Sequence, residues 1–257
     1  MDEDKLNQRE VPDFVPGIYN YCDRWCERCE KRLQCISYVM GKKMEEKTRL
    51  ERTGQLKREG KSLWSRLKNM FGLTNEVLQE LAKERSISVE DIYASEQLDK
   101  QFLGGNLGYI EKDDALYVQI EACDILKVCK IYEYWGERCI NRFSEWMEQE
   151  EYEHAEEIEI VTWYLDLIQT KMRKALHSKA LLEMGEEEGQ SDYEGSVKVG
   201  LIAIDKSIVA WKKIHVFYPN YRKEIEHLLV ILQQIQIDIE REFPTARQFM
   251  RPGFDTE

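Results

Sequence analysis

An all-α protein is predicted, on three observations. Glycine and proline are scarce, with 14 and 5 in 257 residues, whereas sheet proteins need frequent turn punctuation. Several long segments carry apolar residues three and four apart, the spacing of one helix face. No segment alternates between strand-like and helical patterns in the way a parallel-sheet protein requires. The hydrophobic share of 42% is enough to bury a substantial core.

Residues 1–20 carry Pro12, Pro16 and Gly17 and read as an extended arm. Four cysteines follow within fourteen residues, Cys22, Cys26, Cys29 and Cys35, in YCDRWCERCEKRLQC. A charged helical stretch then runs to about Lys68, broken near Gly54 and Gly60. Residues 41–68 hold ten Lys/Arg against four Glu. That surplus suits either an acidic docking partner or the chain's own acidic segments. Thr74 is placed before a helix (NEVLQELAKE), and Ser88 with Asp91 forms a capping box for the next. FLGGNLGY, 102–109, lacks the spacing of a phosphate-binding loop and reads as a hinge.

From about Asp113 the pattern is that of four helices. The first runs from Asp114 into the 140s and is expected to loosen at Gly136. The second carries the stripe Ile158, Val161, Leu165, Ile168, Met172 and Leu176. EMGEEEGQSDYEG, with six acids and three glycines, is a linker. The third (SVKVGLIAIDKSIVAWKKI) and fourth (NYRKEIEHLLVILQQIQIDIEREF) meet at a turn around Pro219, and Ile225, Leu228, Leu232, Ile235 and Ile239 stripe the fourth. Short connections make neighbours antiparallel, so an up-down bundle is predicted over 111–257. Residues 1–110 are expected to form a Cys-rich metal- or cluster-binding loop with short helices packed on that bundle, either as a separate domain or continuous with it.

The C-x3-C-x2-C-x5-C spacing carries the chemistry. Thiolates bind soft and borderline metals, and four on one short loop close a tetrahedral zinc site or hold a cubane cluster. No apolar run approaches the roughly 20 residues of a membrane span, and the first residues lack a secretory pattern. A cytoplasmic protein is therefore expected, and in that reducing setting clustered cysteines read as ligands rather than disulfides. Zinc loops usually split into two Cys pairs around a long spacer, which is missing here, so a [4Fe–4S] cluster is the first expectation and zinc the alternative. Cys22, Cys26, Cys29 and Cys35 are the candidate ligands. Trp25 and Tyr21 flank them. Cys123, Cys129 and Cys139 show no ligand spacing and are expected to be core thiols.

Three resemblances bear on this. C-x2-C-x5-C, here Cys26, Cys29 and Cys35, resembles the tail of the iron–sulfur loop in helix-hairpin-helix DNA glycosylases, with Cys22 departing from that pattern. Only the cluster type is implied, because the glycosylase hairpin and catalytic residues have no counterpart. C-x3-C-x2-C also has radical SAM spacing, but the βα-barrel pattern that chemistry needs is missing. SVKVGLIAIDKSIVAW, FPTARQFMRPGFD and the cysteine run together resemble blocks of a family of uncharacterised bacterial helical proteins. That resemblance implies a helical architecture and no mechanism.

Other constellations are weaker. Glu151/His154 and Glu224/His227 have the Glu-x2-His spacing of di-iron bundles. Asp205, the carboxylate of the third helix, falls roughly 14 Å along the axis from the level of Glu224, too far to share a metal. Asp205 is expected to pair with Lys171 or Arg173. Trp163, Tyr164 and Trp211 are expected in the bundle core. The net charge of −12 argues against nucleic acid as a partner. The functional expectation is a metal- or cluster-binding protein with a redox, sensing or interaction role and a protein partner. Its rivals are an oxidoreductase with a second site in the bundle and a regulatory module with structural zinc.

Overall fold

The computed structural model describes residues 12–52, 63–90, 114–147, 155–185 and 192–255. Among them there are seven α-helices and no strand: α1 (Ile36–Arg52), α2 (Leu63–Arg85), α3 (Asp114–Glu121), α4 (Asp124–Met147), α5 (Ala155–Glu183), α6 (Asp192–Phe217) and α7 (Arg222–Glu242). None of the described helices is long and apolar enough to cross a membrane. The chain divides into two compact units, Met1–Tyr109 with Arg251–Glu257, and Ile110–Met250.

In the first unit α1 packs along α2. Ile36, Leu78 and Ala82 are buried with Phe14, Tyr19 and Met40 against them, and Val77 and Leu81 meet Val39 and Met44. These positions recur at three- and four-residue steps on each helix, which is why two short amphipathic helices hold one another. Arg85 at the end of α2 fastens the incoming chain. Its guanidinium donates to the Pro12 carbonyl and, at 3.2 Å, to the Leu33 carbonyl, and it lies 4.2 Å from the Phe14 ring centroid.

The basic stretch meets acids of this same chain. Lys43 reaches Glu84 at 2.5 Å, Lys47 reaches Glu80 at 2.5 Å and Glu76 at 3.8 Å, and Lys42 pairs with Glu45 along α1. Thr74 lies inside α2 rather than before a helix. Beyond Thr74, residues 77, 78, 81 and 82 bury one continuous face of the helix. Gly54, Gly60, Asp91 and the 102–109 loop lie outside the described residues.

In the second unit α4, α5, α6 and α7 each pack on two of the others: α4 on α5 and α7, α5 on α6, and α6 on α7. Contacts run in opposite chain order. Glu157 meets Lys213 and Tyr164 meets Lys206 between α5 and α6, while Arg142 meets Glu224 between α4 and α7. The interior is apolar and aromatic. Ile158, Val161, Leu165, Ile168 and Met172 of α5 are buried, and so are Ile225, Leu228, Ile231, Leu232, Ile235 and Ile239 of α7. Leu176 is only partly buried.

The first bundle helix breaks at Ala122–Cys123 and runs unbroken through Gly136, contrary to the expected loosening. Gly136 is buried against α5, where a Cβ would lie 2.3 Å from Leu165 Cδ2. Its missing side chain serves helix approach, not bending. The acidic linker is shorter than its composition suggests, because α5 extends to Glu183 and α6 begins at Asp192.

Candidate metal or cluster centre

The cysteine segment is built from tight turns. Gly17 takes a left-handed conformation (φ 67°) and opens the 3-10 turn Ile18–Asn20. Asp23 Oδ1 accepts the Trp25 N–H at 3.2 Å, and Arg24 sits at φ 57° just before the second turn, Cys26–Arg28. The Cys29 N–H donates to the Cys26 carbonyl at 3.3 Å. In a 3-10 turn, side chains three apart eclipse one another, so C-x2-C sends Cys26 and Cys29 to one side. A third turn, Arg32–Gln34, delivers Cys35 to the entrance of α1.

Cys22, Cys26, Cys29 and Cys35 all line one pocket, with Ile18, Trp25, Tyr38 and Phe254 as apolar walls and Asp23, Arg24 and Arg32 beside them. The space amounts to about 290 Å³, part of it open to solvent. Cys35 and Trp25 are buried and the other three thiols are half-buried. Arg28 stacks on the Trp25 ring at 4.1 Å, closing its outer face. Tyr21 is partly buried and is not a pocket wall.

The thiols feel one another. Burial pushes the Cys26 thiol up, and Cys22, Cys35, Glu27 and Cys29 push it further. Burial also raises Cys35, while the backbone amides of Tyr38 and Ser37 in the first turn of α1 work the other way. Amides of that kind at a helix N-terminus favour a thiolate. Cys22 Sγ rests 3.4 Å from the Tyr19 carbonyl oxygen. As they stand, the thiols share a pocket without a closed ligand set: among the described residues no group of three or more His, Cys, Asp or Glu is arranged to hold a metal ion.

The bundle's remaining candidates are accounted for by packing. Glu224 and His227 line a cavity of about 390 Å³, part of it open to solvent, with Trp135, Arg138, Cys139, Arg142 and Leu228, and Glu224 faces Arg142 at 3.5 Å. Glu151 and His154 lie outside the described residues. Asp205 does not pair with Lys171 or Arg173. It accepts Arg247 Nη1 at 2.8 Å and Gln236 Nε2 at 2.9 Å, because the turn Ala246–Gln248 folds back onto α6. Arg173 bonds Glu121 at 2.5 Å instead.

Tyr164 and Trp211 are core residues as expected, but Trp163 is exposed. Cys129 and Cys139 are buried, and burial pushes both thiols up to about 12. Cys123 is only half-buried, since it falls in the break between α3 and α4. The pocket resident that the periodicity does not reveal is Phe254. Its signal is the Pro252-Gly253 turn beside it. No protein-family model, curated protein or solved structure matches this chain.

Proposed function

We propose that Cys22, Cys26, Cys29 and Cys35 bind a [4Fe–4S] cluster, on a helical protein with a redox, sensing or interaction role and a protein partner. The observation that supports this most is that all four cysteines of the motif line a single pocket. A change of χ1 well moves a cysteine sulfur by about 3 Å, so thiols around one pocket can turn onto a common centre by side-chain rotation. The donor set fits both a cubane and the alternative, zinc.

When bound, the cluster would supply one-electron chemistry or an oxidant-sensitive structural centre. Four protein ligands leave no open iron position, which favours electron transfer, sensing or structure over substrate activation. Four thiolates around a +2 core carry a net charge of −2, and Arg24 and Arg32 at the pocket are suited to that charge. The amides of Ser37 and Tyr38 would donate to the Cys35 sulfur, an interaction that raises a cluster's reduction potential. Ile18, Trp25 and Tyr38 would exclude water from it.

Single Cys→Ser variants test the ligand set. Cys22→Ser, Cys26→Ser, Cys29→Ser and Cys35→Ser should each lose most of the bound metal, while Cys123→Ser keeps it. Full metal content in Cys29→Ser would remove that residue from the site. Equal loss in Cys123→Ser would point to general damage instead.

A further inference from the structure

We infer that the segment Arg251–Asp255 is part of the cysteine site, with Phe254 as the shield that limits access of dioxygen and chelators to the bound centre. This rests on the proposal that the cysteines hold a metal centre, and adds to it a residue from the far end of the sequence. Phe254 lines the same pocket as the four thiols.

Its placement is built rather than incidental. The Phe254 N–H donates to the Arg251 carbonyl at 3.1 Å, with Pro252 and Gly253 (φ 75°) between them. Proline at the second position and a positive-φ glycine at the third define a type II turn. Gly253 is further constrained by its neighbours, since a Cβ there would stand 2.9 Å from Ile18 Cδ1 and 3.1 Å from Val15 Cγ1. Ile18 is itself a pocket wall, so the turn backbone rests on the pocket's own frame.

The turn is also clamped from outside. Arg251 donates its backbone N–H to Asp255 Oδ2 at 2.9 Å and its Nη2 to Asp255 Oδ1 at 2.8 Å, and its guanidinium lies 5.0 Å from the Phe254 ring centroid. Each contact restricts how far the ring can leave the pocket. A protein ring over a thiolate-bound centre reduces solvent access, and solvent access governs both cluster lifetime and potential.

The experiment compares wild type, Phe254→Ala, Phe254→Leu and Leu33→Ala, all purified without oxygen. Leu33 is exposed on the cysteine segment and is not a pocket wall. Iron or zinc per chain is measured first. The rate of metal loss is then followed in air-saturated buffer and in excess chelator. Phe254→Ala should still take up metal and lose it about tenfold faster than wild type. Phe254→Leu, which keeps an apolar cap, should fall between the two, and Leu33→Ala should match wild type.

Loss from Phe254→Ala at the wild-type rate would overturn the shielding role while leaving the ligand proposal intact. If Phe254→Ala is too unstable to purify, Phe254→Leu decides: faster loss supports the shield and an unchanged rate overturns it. Absence of metal from wild type would overturn both.

Discussion

Trp211 Nε1 donates to the Tyr132 hydroxyl at 3.0 Å, and both side chains are fully buried between α4 and α6. Burial lifts the Tyr132 hydroxyl to about 12, with the Trp211 N–H pulling slightly the other way. The bond satisfies the indole N–H inside the core, beside the buried Ser207 hydroxyl. Tyr132→Phe keeps the ring and strands that N–H, which should cost about 1–3 kcal/mol. Urea unfolding of the two proteins measures this, and an unchanged midpoint would show that another acceptor replaces Tyr132.

Two buried glycines make different predictions. A Cβ at Gly136 would meet Leu165 Cδ2 at 2.3 Å, and one at Gly200 would meet Met172 Cε at 2.4 Å. Alanine gains about 1 kcal/mol of helix propensity at either site. The Met172 thioether end can swing away, whereas branched Leu165 is held in the α4–α5 interface. Gly200→Ala should therefore be near neutral, and Gly136→Ala should lose about 1–2 kcal/mol net after overpacking. Thermal unfolding of the pair would refute this if their order were reversed.

Alkaline conditions should weaken the bundle. The Cys129 thiol is pushed from 9.0 to about 12 by burial, so above pH 9 the unfolded chain loses its proton while the folded chain keeps it. The folded state then binds more protons, and stability falls as pH rises from about 9 towards 12. Near pH 10.5 the loss from this one thiol is on the order of 2 kcal/mol. Cys129→Ala should flatten the pH dependence of the urea midpoint over that range, even though the variant starts less stable.

Metal retention should depend on pH in the opposite sense. Cys26 and Cys35 hold their protons above the ordinary thiol value, and a bound centre must displace those protons. Lowering the pH restores the competition. A chelator challenge should strip the protein faster near pH 6 than near pH 8, with proton release on reloading. Equal rates would mean that thiolate ligation does not limit release.

Much of the helical architecture is legible from spacing alone. The α7 stripe is buried at every expected position because a two-sided helix has only one way to hide those residues. Local signals overridden by packing are harder to read. Thr74 resembles an N-cap, yet α2 runs through it. Gly136 resembles a break, yet it permits the close approach of Leu165.

Charge partners are less legible still, because pairing depends on which segments return to meet. Asp205 finds Arg247 through the turn after α7, not a cation on α5. The lysines of α1 find Glu76, Glu80 and Glu84 on α2, so their surplus is partly answered within the chain. At the candidate site the four cysteines are explicit in the sequence. Phe254 is not, since a Pro-Gly turn announces a bend but not its destination.

The most direct test is metal and acid-labile sulfide analysis, with a visible spectrum, on full-length protein purified without oxygen. The prediction is a brown protein carrying about four irons and four sulfides per chain, colour and iron both lost in Cys29→Ser. Colourless protein with one zinc would keep the ligand set and make the segment a structural staple. Protein that holds neither metal, even after reconstitution with iron and sulfide, would contradict the central claim.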